Sequence, residues 1–185
     1  MRLGLARLGV PYRLLEVDIL KGESRTPEFL AMNPSGQVPL LEVAPGRHIA
    51  ESNAILWYLA NGTPYLPEAP LERARVLQWM FFEQYEIEPA LAVARFWITL
   101  LGKEDEYLSE LEPKWRAGGR ALDALDSHLH GREWLVGDAY SAADISLYGY
   151  VHVAGEGGFD LGQYPSVESW LTRVAAVPGH VAMED

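Results

Sequence analysis

The chain has 185 residues, of which 49% are hydrophobic and 22% charged, a composition that excludes a disordered protein and fits one or two folded domains. Its 26 acidic side chains against 15 Lys and Arg give a formal net charge of -11, which disfavours DNA, RNA or an anionic membrane as a partner. The absence of cysteine excludes disulfides, thiolate metal sites and a cysteine nucleophile from the sequence given. We therefore expect a cytoplasmic protein without a nucleic-acid or membrane partner.

The first 63 residues contain short elements of mixed type. Residues 2–8 are predicted to form a helix that Gly9 ends, and residues 12–19 alternate large apolar and polar side chains, which predicts a strand. Next, Thr26-Pro27 is typical of an N-cap followed by the first residue of a helix, here a short one through Met32.

A β-hairpin is predicted next, with strands over residues 38–43 and 48–50 and a turn that contains Pro45-Gly46. Ser52 is then predicted to cap a helix that runs to Ala60 and ends at Asn-Gly.

A proline-rich segment, residues 64–70, is predicted to link an N-terminal domain, residues 1–63, to a second domain, residues 71–185. Apolar side chains in the second domain recur at three- and four-residue spacings, which predicts helices throughout. These helices are expected over residues 71–101 with a kink at Pro89, over 105–130, from Ser141, and from Pro165 or Ser166.

The most informative segment is Asn-Pro-Ser-Gly-Gln-Val-Pro-Leu-Leu-Glu at residues 33–42, followed by Glu51-Ser52. A cis Val38-Pro39 bond would expose the backbone of Val38 at a sheet edge, where an extended peptide can pair with it. Glu51 and Ser52 would lie at a helix N-terminus, where a ligand carboxylate is favoured and Glu51 can pair with an ammonium group. The simpler alternative stays open: Ser52 is only a helix cap and Pro39 only a strand boundary.

These residues, continued by Glu-Ser-Asn-Ala-Ile-Leu-Trp-Tyr-Leu at 51–59, resemble the glutathione-binding half of the glutathione S-transferase family. A second motif, Ser-Ala-Ala-Asp-Ile-Ser-Leu at 141–147, resembles the capping box and hydrophobic staple of that family's helical domain. The resemblance covers nearly the whole chain. It implies an α/β, thioredoxin-like N-terminal domain followed by an all-α C-terminal domain, and a homodimer.

Carried onto this sequence, the resemblance makes Val38 the backbone partner of the cysteinyl part of glutathione, with Pro39 cis. Glu51 and Ser52 would hold the γ-glutamyl end, and Gln37 would add a polar contact. The residue that binds the glycyl carboxylate is left open.

Members of the family begin with a strand and a loop whose Tyr, Ser or Cys faces the glutathione sulfur and favours the thiolate. Compared with that plan, this sequence is expected to begin inside the helix that follows the loop. The family's first strand, the loop and the first turns of that helix amount to roughly fifteen residues at ordinary element lengths. The sheet is therefore expected to lack a central strand, and the N-terminal domain to be incomplete. No residue is predicted to be catalytic, because Tyr12 and Ser24 lie beyond the position of that loop.

The resemblance implies an enzyme that conjugates the thiolate of its co-substrate glutathione to a small, electrophilic, hydrophobic substrate. The alternative is a noncatalytic module of the same fold that binds glutathione or a protein partner. Six side chains are candidates for contacting the second substrate: Tyr85, Arg95, Phe96, Trp97, Tyr148 and His152. No metal is expected, because His128 and His130 are two residues apart and point to different sides of a helix.

Overall fold

The computed structural model describes residues 1–181. Its N-terminal part contains α1 (Arg2–Arg7), a 3₁₀ turn (Glu23–Arg25), α2 (Pro27–Met32), β1 (Leu40–Ala44), β2 (Arg47–Ala50) and α3 (Ser52–Ala60). Its C-terminal part contains α4 (Pro70–Phe82), α5 (Val93–Arg95), α6 (Leu108–Leu129), α7 (Ala142–Val151) and α8 (Pro165–Ala176). Among these residues, no helix combines the length and apolarity needed to cross a bilayer.

The β-hairpin predicted from the sequence is confirmed. β1 and β2 pair antiparallel, with Leu40 opposite Ala50 and Leu41 opposite Ile49. The connecting turn has Gly46 at φ 72°, a left-handed conformation that glycine adopts without steric cost. This hairpin makes up the whole of the sheet in the part of the chain that the structure describes.

The strand predicted over residues 12–19 is wrong. Residues 10–18 form no helix or strand, and Leu14 and Leu15 are exposed. Alternation specifies a strand only when a neighbouring strand satisfies its backbone groups and a core covers one face. Among residues 1–181 neither β1 nor β2 pairs with this segment.

Two helix N-caps were predicted in the N-terminal part, and the structure confirms one of them. Thr26 caps α2 as predicted, with its Oγ1 accepting the N–H of Phe29 at 3.3 Å. For α3 the N-cap is Glu51, and Ser52 is the first helical residue, so the prediction that Ser52 is the cap was wrong by one position. The difference matters for the site, because Glu51 rather than Ser52 lies at the turn into the helix.

The first helix of the C-terminal part is continuous from Pro70 to Leu100 but changes its winding. After α4, residues Glu83–Ala92 are π-helical, α5 follows, and Phe96–Leu100 are π-helical again. Pro89 lies inside the first π-helical stretch. Proline lacks an N–H and crowds the carbonyl four residues earlier, so the wider winding accommodates it at the position where a kink was predicted.

The buried core lies among α4, α6, α7 and α8, where Val76, Leu122, Val151 and Trp170 are fully buried. α3 contributes Leu56 to the same core. Hydrophobic burial therefore stabilises the contact between the N-terminal part and the helical part. The domain boundary at residues 64–70 stays a prediction.

The capping box predicted at the start of α7 is confirmed. Asp144, fully buried, accepts hydrogen bonds from the N–H of Leu135 at 3.1 Å and the indole N–H of Trp170 at 2.9 Å with one oxygen. Its other oxygen accepts the N–H and the hydroxyl of Ser141, both at 2.9 Å. One carboxylate thus joins the start of α7, the preceding loop and α8.

Arg7, at the end of α1, is buried against the end of the described chain. Its guanidinium donates hydrogen bonds to the carbonyl oxygens of Val177 and Pro178, and to that of Val174 at 3.0 Å. It also lies 5.5 Å from the centre of the Tyr140 ring, a cation–π distance. α1 is thereby fixed to the C-terminal end of α8.

Candidate functional site

A cavity of about 350 Å³ lies between the N-terminal loops and the first C-terminal helix. All five residues predicted as site residues line it: Gln37, Val38, Pro39, Glu51 and Ser52. The Val38–Pro39 peptide bond is cis, as expected. The loop before β1 and the start of α3 therefore meet at one cavity.

The side chain of Asn33 forms hydrogen bonds within the loop that carries Gln37 and Val38. Asn33 is buried, and sequence reasoning did not single it out. Its side-chain amide donates to the carbonyl of Gln37 at 2.8 Å, and its side-chain oxygen accepts the N–H and the hydroxyl of Ser35 at 3.2 and 2.9 Å. Asn before Pro is typical of such turns, so the Asn-Pro pair was the signal in the sequence that could have identified this residue. These hydrogen bonds fix the conformation of the loop and therefore the position of the Val38 backbone.

Glu51 has φ 68°, and it is the one residue other than glycine in the left-handed region among residues 1–181. A large side chain in this conformation costs of order 1 kcal/mol or more and is found most often at functional sites. Its carbonyl accepts the N–H of Ile55 at 2.9 Å, the first bond of α3. Glu51 at this strained turn and Ser52 after it both line the cavity.

Three residues of the C-terminal part form the opposite wall: Gln84, Glu88 and Tyr150. Burial raises the pKa of Glu88, with a further contribution from the carboxylate of Glu51, and Lys114 opposes the shift. Burial also raises the pKa of Tyr150 to about 12, so its hydroxyl keeps its proton at neutral pH. Sequence reasoning missed all three, because helical periodicity does not show which residues face another part of the chain.

Comparison with known proteins decides the family. The N-terminal domain model of glutathione S-transferases matches residues 1–61, and the C-terminal domain model matches residues 90–178. A solved glutathione S-transferase from Pseudomonas fluorescens [Pf-5] is 48% identical, with a TM-score of 0.97 over 100% of this chain and 92% of that one. The chain belongs to the glutathione S-transferase family. Its thioredoxin-like part carries the hairpin and the cavity loops, and its helical part supplies the opposite wall.

Curated relatives within the family carry different names. A glutathione S-transferase-like protein, LUC7, from Fusarium sp is 34% identical over 82% of this chain and 71% of its own length. A disulfide-bond oxidoreductase, YfcG, from Escherichia coli is 32% identical over 90% of this chain and 80% of its own length. A transferase-family structure from Pseudomonas fluorescens pf-5 that holds two glutathione molecules is 30% identical, with a TM-score of 0.82 over 96% of this chain and 83% of that one.

The six side chains proposed for the second substrate of this family member do not line the cavity. Arg95 forms an ion pair with Glu156 at 2.7 Å, and Tyr148 stacks on His152 with ring centres 4.5 Å apart. Tyr85 faces outward and is 74% exposed. Aromatic character marks buried packing as readily as a binding surface, and of this set Tyr148 is buried in the core, with Trp97 packed against it.

Behind the cavity wall, Glu83 is buried between the two parts of this glutathione S-transferase fold. Its carboxylate accepts the side-chain N–H of Asn53 at 2.5 Å, and Asn53 in turn accepts the hydroxyl of Ser146 at 2.6 Å. Burial raises the pKa of Glu83 to about 7, although both of these neighbours oppose the shift. Residues 1–181 contain no group of three His, Asp or Glu placed to hold a metal ion.

Proposed function

We propose that this member of the glutathione S-transferase family binds glutathione in the cavity and conjugates its thiolate to a small, electrophilic, mostly apolar second substrate. The observation that carries the proposal is the meeting of the Val38 edge and the Glu51-Ser52 helix start at one cavity. The glutathione held by a relative of the same fold supports the choice of ligand.

In this proposal each charged group of the γ-glutamyl residue meets a partner of opposite charge. Ser52 and the N–H groups at the start of α3 take the α-carboxylate of the γ-glutamyl residue, where the helix dipole favours negative charge. Glu51 pairs with the α-ammonium group. The backbone of Val38 pairs with the cysteinyl residue as an added strand would, and Gln37 adds a hydrogen bond nearby.

The chemistry proposed is thiol addition or substitution. The glutathione thiol loses its proton to solvent, its sulfur forms a bond to the electrophilic carbon, and the displaced electron pair leaves with a leaving group or enters the substrate's conjugated system. Holding both reactants in one cavity supplies much of the rate acceleration through proximity. No side chain of this sequence is assigned as the thiol-activating group.

A second candidate, a noncatalytic module that binds glutathione, is favoured by one observation. The hydroxyls that line the cavity belong to Ser24, Ser52 and Tyr150. The raised pKa of Tyr150 makes its hydroxyl a weaker acid, and therefore a weaker hydrogen-bond donor to a thiolate. Conjugation of glutathione to an aromatic halide above the buffer rate supports the enzyme, and binding without conjugation supports the module.

The test of the binding site is calorimetric titration with glutathione. Glu51→Gln is expected to weaken binding by about 1.5–3 kcal/mol, the size of a hydrogen bond to a charged group. Glu112→Gln, the same change at an exposed position on α6, is the matched control and should bind like the unsubstituted protein. Equal affinity of Glu51→Gln and Glu112→Gln would remove Glu51 from the site.

We further propose that the protein is a cytoplasmic homodimer. The support is a row of exposed apolar side chains along one face of α4 and its π-helical continuation, made of Leu71, Phe81 and Tyr85, which are 62%, 58% and 74% exposed. Exposed apolar side chains grouped along one helix are typical of a contact surface, and the occupant here would be a second copy of the chain.

A further inference from the structure

The backbone groups of residues 11–17, which follow α1, form no hydrogen bond with any residue that the structure describes. The chain runs through this segment without a turn or bend. Both of its ends are fixed. The N–H of Val10 donates to the carbonyl oxygen of Leu5 at 3.0 Å, and the N–H of Glu23 donates to that of Asp18 at 3.1 Å. Residues 11–17 are therefore an extended segment with a row of unpaired donors and acceptors along each edge.

The apolar side chains of this segment are exposed on both of its faces. Successive side chains of an extended chain point to opposite faces, so Tyr12 and Leu14 share one face and Leu15 lies on the other. These three side chains are 44%, 53% and 67% exposed. Large apolar side chains on both faces are typical of a strand inside a sheet, and their exposure as a group is typical of an interaction surface.

The sheet of the N-terminal part provides no partner for this segment. In the part of the chain that the structure describes, β1 pairs with β2 and with no other strand. An unpaired row of backbone groups on an extended segment is a template for a strand of another chain. A second extended backbone repeats N–H and C=O groups at the spacing that satisfies such a row, and this is how added strands bind to sheet edges.

The charge of the protein narrows the chemistry of such a strand. The formal net charge of the chain is -11, with 26 acidic side chains against 15 Lys and Arg. A strand that carries basic residues is therefore attracted to the protein, and an acidic strand is repelled.

We propose that residues 11–17 bind an extended strand of a partner polypeptide that has apolar residues at its centre and basic residues at its ends. The two backbones form a β-ladder, and the apolar side chains of the partner pack beside Tyr12, Leu14 and Leu15. None of residues 11–17 lines the cavity, so this inference is independent of the proposed function.

The experiment measures hydrogen–deuterium exchange of the full chain with a synthetic nine-residue peptide as the probe. The peptide has two lysines at each end and five alternating valine and tyrosine residues between them. It is expected to slow the exchange of about half of the amides in residues 11–17 by about 10-fold or more, because a paired N–H exchanges only when the ladder opens. The same peptide with its five central amides N-methylated keeps the apolar side chains but cannot pair, and should give no protection.

Two double variants test the protein side of the ladder. Leu14→Pro/Leu15→Pro removes two neighbouring N–H groups, which point to opposite edges, and should bind the peptide at least about 10-fold more weakly. Leu14→Thr/Leu15→Thr is the matched control, because it also loses both leucines but keeps both N–H groups and side chains that favour strands. It should bind more tightly than the proline variant. If the proline variant fails to fold by circular dichroism, the N-methylated peptide still decides the question.

Several outcomes would overturn the proposal. The first is a peptide that gives no protection, or an N-methylated peptide that protects equally well. The second is equal binding by the two double variants, which would show apolar contact without a ladder. Protection confined to β1 would place the added strand elsewhere. Protection of residues 11–17 that rises with protein concentration in the absence of the peptide would make a second copy of the chain the occupant.

Discussion

Glu83 shows how one residue can make stability depend on pH. It is 2% exposed, and its carboxyl faces Asn53 and Ser146 from the neighbouring helices α3 and α7. The N-terminal ammonium group of Met1 also lowers its pKa, whereas Glu88 raises it, and burial outweighs all of these contributions. A carboxyl in such surroundings keeps its proton in the folded protein at pH values where the unfolded chain has lost it.

We expect the stability of the fold to fall as the pH rises from about 4.5 to about 7 through this residue alone. The unfolded chain releases the Glu83 proton near the ordinary value of 4.5, and the folded protein only near 7. The folded state therefore binds more protons across this interval, which lowers the free energy of unfolding by up to about 3 kcal/mol. Urea denaturation at a series of pH values measures it.

Glu83→Gln is the variant that isolates this effect, because glutamine keeps the bond with Asn53 and does not titrate. The stability of the unsubstituted protein minus that of Glu83→Gln should decrease between pH 4.5 and 7. Glu86→Gln, an exposed neighbour, controls for the loss of a surface carboxyl. Parallel stability curves for the protein and Glu83→Gln would contradict the expectation.

At the scale of the element, the start of α7 depends on Asp144. Replacing it with alanine leaves the N–H groups of Leu135, Ser141 and Trp170 without their buried acceptor. Each such loss costs about 1–3 kcal/mol, so we expect Asp144→Ala to lower the free energy of unfolding by about 3 kcal/mol or more. Urea denaturation at neutral pH is the measurement.

Asp144→Asn is the matched control, since asparagine keeps the shape and one acceptor oxygen. It should lose less stability than Asp144→Ala. A loss of under about 1 kcal/mol in Asp144→Ala would show that the capping box is not a main support of α7.

The elements that the sequence predicts correctly are those specified by local chemistry. The cap at Thr26, the hairpin turn at Gly46 and the capping box at Ser141 each depend on residues within a few positions of one another. The strand predicted over residues 12–19 failed because a strand needs a partner that local alternation does not supply. A kink was predicted at Pro89, but the π-helical winding around it was not, because a proline inside a helical pattern indicates a disturbed helix without showing which form the disturbance takes.

The two walls of the candidate site also differ in how far the sequence predicts them. Its N-terminal wall follows from short motifs, and Gln37, Val38, Pro39, Glu51 and Ser52 all line the cavity. Its C-terminal wall depends on how two parts of the chain pack together, which no local pattern records. The binding roles of the five residues stay predictions until glutathione titration tests them.

At the scale of the whole molecule, the apolar row on α4 and its continuation predicts self-association. Phe81 and Tyr85 lie one helical turn apart, with ring centres 6.4 Å apart. Replacing both with glutamate puts charges into a contact surface that must lose its water, which disfavours a dimer strongly. We expect Phe81→Glu/Tyr85→Glu to be monomeric in size-exclusion chromatography with light scattering, at concentrations where the unsubstituted protein is a dimer.

The matched control is Leu108→Glu, which adds a negative charge at an exposed apolar residue on α6. It should leave the dimer intact and so exclude an effect of net charge. An unsubstituted protein that is monomeric, or a double variant that remains dimeric, would show that this face is not the contact.

The anchoring of Arg7 has a consequence for how the chain is made. Its carbonyl partners at Val174, Val177 and Pro178 are synthesised about 170 residues later. At about 5–20 residues per second, the nascent α1 waits on the order of 10–30 s before its guanidinium finds these acceptors. The contact that fixes α1 to the end of α8 can therefore form only after almost all of the described residues have been synthesised.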